Sequence, residues 1–282
     1  NRELVQERIA RLAGYILSSD ALVAWCSGLI DKGYRGELEC IIAKTFGSEC
    51  QKEAAIDLCM KTHGGRSFLG GHIVGDNIHD ILAPLIYEGE GDMLNMAFFK
   101  SLVKDHGVAF FEPVGRLMSD LGKKSLTPVD MVKNYKTFMP YAKWMVKEAV
   151  MPKSGLRPIG FNKNLVGHAN FAIKGLQKSA WEISGLMRKY QLGLADKQCR
   201  MSIVSRKIQN LITIMVTVCY AYAQADYMSA FIADVSCENL KNKITGKHPT
   251  DAQIRKSVRL GEAIANKRGS RGYDSILIKY DR

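Results

Sequence analysis

Apolar residues recur along the chain at the spacing of an α-helix, and no run alternates as a β-strand does. A stripe over residues 5–30, at intervals of three, four and seven positions, predicts a first helix that ends near Gly33. A second helix is predicted from about Gly36 to the paired glycines at 64–65, because glycine supplies the left-handed conformation at which many helices end. Residues 66–89 show no clean period and predict a loop.

A third helix is predicted to begin at about Glu90, where acidic side chains favour the positive end of the helix dipole. Five of the seven prolines fall between residues 113 and 158, which predicts short helices and connections there. The proline-free stretch that follows predicts two long helices at roughly 168–191 and 196–236, and a capping box at Thr250 begins a last helix. The fold class is therefore predicted to be all-α.

The composition is that of a globular protein with a substantial core. Of the 282 residues, 46% are hydrophobic and 24% are charged, which disfavours membrane, fibrous and disordered classes. An uncharged run near the middle, 209–225, is shorter than the ~20 apolar residues of a membrane span and predicts a buried helix. Seven cysteines without a CxxC pair, most of them among apolar helical neighbours, indicate reduced core thiols in a reducing compartment. No signal peptide is visible, and a chain that begins with Asn1 is expected to be a fragment.

The formal net charge of +12 is unevenly distributed. Residues 1–100 carry 10 basic and 14 acidic side chains, whereas residues 101–282 carry 30 and 14. The densest basic stretch, residues 241–271, has nine Lys or Arg against two acids. Such a cluster can bind an anionic membrane surface, nucleic acid or CoA phosphates, although a solvated helix face is the commoner explanation.

Two short segments carry candidate chemistry. One is Ile86-Tyr87-Glu88-Gly89, ahead of the third helix, and the other is Lys61-Thr62-His63-Gly64-Gly65-Arg66-Ser67-Phe68. Taken singly, each has a plain structural explanation, since an acid near a helix start is usually solvated and paired glycines form turns. The six histidines show no metal-binding spacing, and Ser, His and Asp are too scattered for a nucleophilic triad, so neither a metal site nor a hydrolase is predicted.

Together and in this order, the two segments resemble the C-terminal helical domain of acyl-CoA dehydrogenases. The resemblance covers roughly residues 1–105 and includes Ala43-Lys44 on the second helix and His79-Asp80 in the loop. It implies a four-helix-bundle-like domain, FAD as the cofactor and an acyl-CoA thioester as the substrate.

The resemblance also implies roles for individual residues. Glu88 corresponds to the base that removes the α-proton of the substrate, and its neighbours Tyr87 and Gly89 lie at the substrate. The α-proton of a thioester is weakly acidic, so this reaction requires a base within hydrogen-bond reach and donors for the developing enolate oxygen. The cofactor-binding positions are Lys61, Gly64, Gly65, Glu90 and Asp92, of which the glycines touch the FAD of a neighbouring subunit.

Three of these positions depart from the usual residues of the family. Lys61 and Asp92 stand where glutamine is common, and Glu90 stands where threonine is common. Two acids near a pyrophosphate-bearing cofactor require a nearby cation, and Lys61 or Arg66 could supply it. Acyl-CoA oxidases of similar build often carry an acid directly after Glu-Gly, so an oxidase is an alternative.

The expected organisation has three parts. They are a four-helix-bundle-like domain over 1–105, proline-rich connecting helices and loops over 106–165, and a basic helical extension over 166–282. The extension is similar in length, order and helicity to that of very-long-chain acyl-CoA dehydrogenases, where it supports dimerisation and association with a membrane surface. A helical packing domain without a separate role is the alternative for this part.

The sequence therefore predicts FAD-dependent α,β-dehydrogenation of an acyl-CoA by an enzyme whose flavin-binding domains lie upstream, so this chain alone is expected to be inactive. The expected partners are a second or further copies in a homodimer or homotetramer, and an electron-transfer flavoprotein. The expected location is the bacterial cytoplasm or the mitochondrion, with peripheral membrane association as an option. The competing hypothesis is a non-catalytic helical module that binds DNA or a membrane surface through residues 241–271.

Overall fold

The computed structural model describes residues 2–123, 126–150 and 162–266. Over these residues the chain forms helices and their connections and contains no β-strand, which confirms the all-α prediction. The longer helices of the first half are α1 (Glu3–Asp31), α2 (Glu37–Lys52), α3 (Gly91–His106) and α4 (Glu112–Asp120). Those that follow are α5 (Pro128–Lys133), α6 (Tyr135–Val150), α7 (Lys163–Tyr190), α8 (Gln198–Gln224), α9 (Tyr227–Thr245) and α10 (Asp251–Ala265).

The first two helices end where the sequence predicts. Helix α1 stops at Asp31, and the helical path of α2 continues through the π-helical segment Glu53–Met60 to Lys61–His63. Gly64 then takes a φ of 61°, a left-handed value that glycine adopts without a Cβ clash. The predicted helix end at the paired glycines is confirmed.

The predicted loop over 66–89 is not uniformly irregular. It contains the short helical turns Ile73–Asp76, Ile78–Leu82 and Ala83–Leu85. Turns of this length contain too few apolar residues to produce a recognisable period, which explains why the sequence pattern does not show them.

The predicted single helix over 196–236 is wrong, because it is interrupted. Ala225 takes a φ of 52° after the end of α8. Asp226 then caps α9, its carboxylate accepting a hydrogen bond of 2.8 Å from the Ser229 N–H. Aspartate is a favoured N-cap residue, so Asp226 was the available signal for this boundary.

Two hydrophobic clusters hold the helices together, and α1 contributes to both. Ala10, Ala13 and Leu17 of α1 pack with buried residues of α7, α8, α9 and α10. Further along α1, Ala21 and Leu22 pack with buried residues of α2, α3 and α8.

Helix α1 is the one described helix long and apolar enough to cross a membrane, but its apolar face is used for this packing. The domain boundaries at 105 and 165 stay predictions, and α1 contacts helices beyond both.

Glycines allow two of these helix pairs to approach closely. A Cβ at Gly261 of α10 would lie 1.8 Å from the carbonyl oxygen of Gln6 on α1. A Cβ at Gly175 of α7 would lie 2.6 Å from the side chain of Leu211 on α8. The contact at position 261 is with backbone atoms, so the approach of α10 to α1 requires glycine there. A Cβ at position 175 would require the side chain of Leu211 to shift.

Candidate active site

A strained turn at residues 87–89 presents Glu88 at the surface. Glu88 has a φ of 59° and an exposed side chain, and a non-glycine residue in this conformation costs of order 1–3 kcal/mol. Gly89 follows with a φ of 105°, and a Cβ there would lie 2.9 Å from the side chain of Leu94. The turn therefore requires glycine after Glu88, as the order Glu88-Gly89 provides.

Lys44 of α2 fixes this turn from the side. Its ammonium donates a hydrogen bond to the carbonyl oxygen of Gly89, and hydrogen bonds with a charged donor are among the stronger ones in proteins. Lys44 belongs to the segment that carries the family resemblance, but the sequence does not identify it as a site residue. A lysine on a helix gives no sequence signal for a partner 45 residues later.

Replacing Lys44 by methionine is expected to speed exchange of the Tyr87 amide, which donates to the Ala83 carbonyl (3.0 Å), by roughly tenfold or more. The reason is that a hydrogen bond to a charged group, here the one that holds the turn, is worth about 1.5–3 kcal/mol. Hydrogen–deuterium exchange of the peptide over 86–90 measures the effect. Lys100→Met changes an exposed lysine of α3 and is the matched control. Equal exchange in Lys44→Met and the wild type would show that this contact does not hold the turn.

Both acids at the start of α3 have partners. Glu90 caps the helix, because its carboxylate accepts hydrogen bonds from the N–H groups of Asp92 (2.9 Å) and Met93 (3.2 Å). Asp92 accepts a hydrogen bond of 2.6 Å from the Ser202 hydroxyl and pairs with the Arg206 guanidinium, both on α8. The hydrogen bonds from Ser202 and Arg206 hold the pKa of Asp92 below its ordinary value.

The cation beside Asp92 is thus Arg206, a residue that the sequence does not single out. Lys61, one of the two cations expected there, forms an ion pair with Asp57 instead. Ser202 and Arg206 lie 110 and 114 positions from Asp92 in the sequence. Their role depends on how α8 packs against α3, for which no local motif exists.

The glycine pair forms an open corner of the chain. A Cβ at Gly64 or Gly65 would meet no atom within 4 Å, so another group has room to approach the backbone here. The Ser67 hydroxyl donates a hydrogen bond of 2.7 Å to the Gly64 carbonyl and stabilises the corner.

Two histidines, one before and one after the glycine pair in the sequence, are hydrogen-bonded to each other. The Gly75 N–H donates to Nδ1 of His72 (3.0 Å), so Nε2 of His72 carries the proton and donates to Nδ1 of His63 (2.9 Å). Burial, and next the charges of His72 and Arg66, lower the pKa of His63. The hydrogen bonds of His63 and His72 therefore hold the corner in place.

Large apolar side chains of both segments are exposed to solvent. Phe68 is 84% exposed and Tyr87 is 69% exposed. The others are Ile86 and, shortly after the segment 61–68, Leu69 and Ile73. Exposed apolar groups concentrated in two short segments are typical of an interaction surface.

A polar cavity of about 810 Å³ lies between α1, α2, α3, α8 and α9. Its lining includes the Arg11–Glu53 ion pair, Asp92 and Arg206. Neither Glu88 nor the glycine pair lines this cavity, so it is separate from the predicted base.

The basic stretch 241–271 is partly directed inward. Lys256 forms ion pairs with Asp234 (3.0 Å) and Glu238 (2.6 Å), and Lys241 lies 3.3 Å from Nδ1 of His168. Residues 267–271 of the stretch lie outside the described residues. Binding of a membrane surface or nucleic acid through this stretch stays a prediction.

Comparison with known proteins supports the predicted resemblance. Residues 1–102 match the family model of the acyl-CoA dehydrogenase C-terminal domain, which confirms the resemblance for this segment. No curated protein matches the chain. The chain is similar to the crystal structure of an acyl-CoA dehydrogenase complexed with FAD from Bacillus anthracis, with 16% identity and a TM-score of 0.65.

The structural alignment with the Bacillus anthracis protein covers 95% of this chain and 49% of that one. The helical arrangement beyond residue 102 therefore shares the fold of that structure, and the chain spans about half its length. The similarity of residues 166–282 to the extension of very-long-chain relatives stays a prediction.

Proposed function

We propose that this chain is the C-terminal part of an FAD-dependent enzyme that introduces an α,β double bond into an acyl-CoA thioester, with Glu88 as the base. The observation that carries the proposal is the presentation of Glu88 in a strained turn that Gly89 and Lys44 hold in place. This turn lies within the segment that matches the acyl-CoA dehydrogenase C-terminal domain. Because the chain spans about half of the matched structure, the proposed activity belongs to a longer enzyme.

The turn suits a carboxylate base for two reasons. A general base must be held within hydrogen-bond reach of the proton that it removes, and a backbone fixed at Gly89 limits the positions of the Glu88 carboxylate. The N–H of Glu88 in the same turn is a donor for the enolate oxygen that develops as the proton leaves. One short segment then provides both the base and part of the electrostatic stabilisation.

The exposed apolar side chains suit a site that is closed by other parts of the enzyme. Ile86 and Tyr87 directly precede the base in the sequence and Phe68 follows the glycine corner, and all three side chains offer exposed apolar surface. Covering this surface excludes water, which strengthens electrostatic interactions in the site. In the proposal, Tyr87 and Gly89 then lie against the acyl thioester.

The residues present are compatible with FAD. The open backbone at Gly64 and Gly65 would hold the cofactor by close approach. Glu90 is engaged by the N-terminus of α3 and Asp92 by Arg206, so neither acid presents an unpaired charge to a pyrophosphate. When bound, FAD supplies the hydride acceptor of the reaction. Since the glycines are expected to face a neighbouring subunit, the proposal includes a homodimer or homotetramer.

Anaerobic mixing of the complete enzyme with saturated acyl-CoAs of several chain lengths tests the proposal. Bleaching of the flavin absorbance and formation of an enoyl-CoA are expected. An enzyme that binds FAD but is not bleached by any acyl-CoA would contradict it. In air, release of hydrogen peroxide would identify an oxidase, and reduction of an electron-transfer flavoprotein would identify a dehydrogenase.

A further inference from the structure

Two cysteines from neighbouring helices lie side by side. The sulfur atoms of Cys26 on α1 and Cys40 on α2 are 3.3 Å apart. A disulfide has an S–S distance of about 2.05 Å, so the two atoms need to approach by roughly 1.3 Å. All seven cysteines belong to the described residues, and this is the one pair of them with sulfur atoms in hydrogen-bond contact.

The two thiols differ in access to solvent. Cys40 is exposed in the first turns of α2, whereas Cys26 is 8% exposed. Burial, and next the hydrogen bond with Cys40, raise the pKa of Cys26 to about 11. A dissolved oxidant therefore meets Cys40 first, and Cys26 is a protonated thiol behind it.

We propose that Cys26 and Cys40 form a redox modification site that a low-molecular-weight disulfide, such as oxidised glutathione, converts to an intramolecular disulfide. The Cys40 thiolate attacks one sulfur of the small disulfide, and one thiolate leaves while a mixed disulfide forms on Cys40. Cys26 then loses its proton to water and attacks the Cys40 sulfur, and a second small thiolate leaves and takes up a proton. Two protein thiols are oxidised and one small disulfide is reduced to two thiols.

The contact favours the second step over accumulation of the mixed disulfide. Cys26 already faces Cys40, so its effective concentration is far above that of a free thiol in solution. The new bond would link α1 and α2 across the turn that joins them. Cys40 also lies one helical turn before Lys44, so the bond would form beside the residue that holds Gly89. The proposal does not depend on the proposed function, because the thiol chemistry needs neither flavin nor acyl-CoA.

Titration with defined ratios of reduced and oxidised glutathione, followed by acid quench, alkylation and peptide mass spectrometry, tests this site. The wild type is expected to lose two hydrogens and to yield a cross-linked peptide of Cys26 and Cys40. Cross-linked protein should exceed the Cys40 adduct by on the order of tenfold or more. Cys199, which is exposed and is not part of the Cys26–Cys40 contact, is the internal control and should stop at the mixed disulfide.

Two variants separate the steps. In Cys26→Ala, Cys40 should accumulate the glutathione adduct, because the resolving thiol is absent and alanine leaves no unpaired hydroxyl in the core. In Cys40→Ser, Cys26 should stay reduced and become alkylated only after denaturation. A wild type that accumulates the Cys40 adduct while Cys26 stays reduced would overturn the proposal, as would cross-linking of Cys26 to other cysteines at the same rate.

Discussion

Replacing Glu88 by glutamine in the complete enzyme is expected to slow flavin bleaching by acyl-CoA by about 10²–10⁴-fold, the usual contribution of a general base. Glutamine keeps the size of the side chain and fits the same turn, but its amide does not accept the α-proton. The FAD content should not change, since the glycine corner at Gly64 and Gly65 is intact. Anaerobic stopped-flow absorbance measures the rate, and the flavin-to-protein absorbance ratio measures the cofactor.

Two further variants define the outcome. Glu262→Gln changes an exposed glutamate of α10 and should bleach at the wild-type rate. Glu88→Asp moves the carboxylate back by one methylene and should give an intermediate rate, because reach and not only charge decides proton transfer. Bleaching of Glu88→Gln at a rate similar to that of the wild type would show that another group is the base.

The fold could be predicted wherever the determining signal is local. Apolar spacing predicts α1, and the paired glycines predict where the helical path that starts with α2 ends. The capping box at Thr250 predicts the start of α10, which the structure confirms. The break between α8 and α9 could not be predicted from periodicity, because alanine is a strong helix former and Ala225 gives no warning of a left-handed residue. The local signal there is the N-cap residue Asp226, which apolar spacing does not register.

The candidate site divides in the same way. Its contiguous part, Tyr87 to Asp92, was recognised from a short motif. The supporting residues Lys44, Ser202 and Arg206 could not be predicted in this way, because each contacts its partner only through the packing of α2 or α8 near the start of α3. Helix periodicity gives the buried face of a helix but not which residue of a neighbouring helix lies opposite.

The cysteines illustrate the same limit. The absence of a CxxC pair and the apolar neighbours predict reduced core thiols, whereas Cys40, Cys199 and Cys219 are exposed. The contact of Cys26 with Cys40 arises because a short turn folds α2 back on α1, which places residues fourteen positions apart side by side. Sequence spacing identifies a dithiol only when both cysteines belong to one local motif.

A second large effect is expected at Asp234, whose side chain is buried among three helices. Its carboxylate accepts hydrogen bonds from Asn164 (2.9 Å) and His168 (2.7 Å) of α7 and from Lys256 of α10 (3.0 Å). Asp234→Ala leaves the charge of Lys256 and the imidazole of His168 without this acceptor. Lys256 keeps its ion pair with Glu238 (2.6 Å), so the cost comes mainly from the buried donor of His168 and the donor of Asn164. The free energy of unfolding is expected to fall by about 1–3 kcal/mol.

Urea unfolding followed by circular dichroism measures this effect. Asp196→Ala removes an exposed carboxylate and is the matched control, with an expected change within about 0.5 kcal/mol. A loss in Asp234→Ala no larger than that of the control would contradict a stabilising role of the network that joins α7, α9 and α10.

The pH dependence of Asp234→Ala provides an independent check of the same network. Burial alone would raise the pKa of Asp234, but the hydrogen bonds from His168, Asn164 and Lys256 outweigh it and lower the pKa to about 2. Because the pKa in the folded state lies below the ordinary value of 3.8, the carboxylate contributes stability that is fully present above about pH 4 and is lost as the pH falls toward 2. The unfolding free energy of the wild type should therefore fall more steeply over this interval than that of Asp234→Ala. Parallel pH profiles for the two proteins would show that the hydrogen bonds to Asp234 do not favour its ionised form.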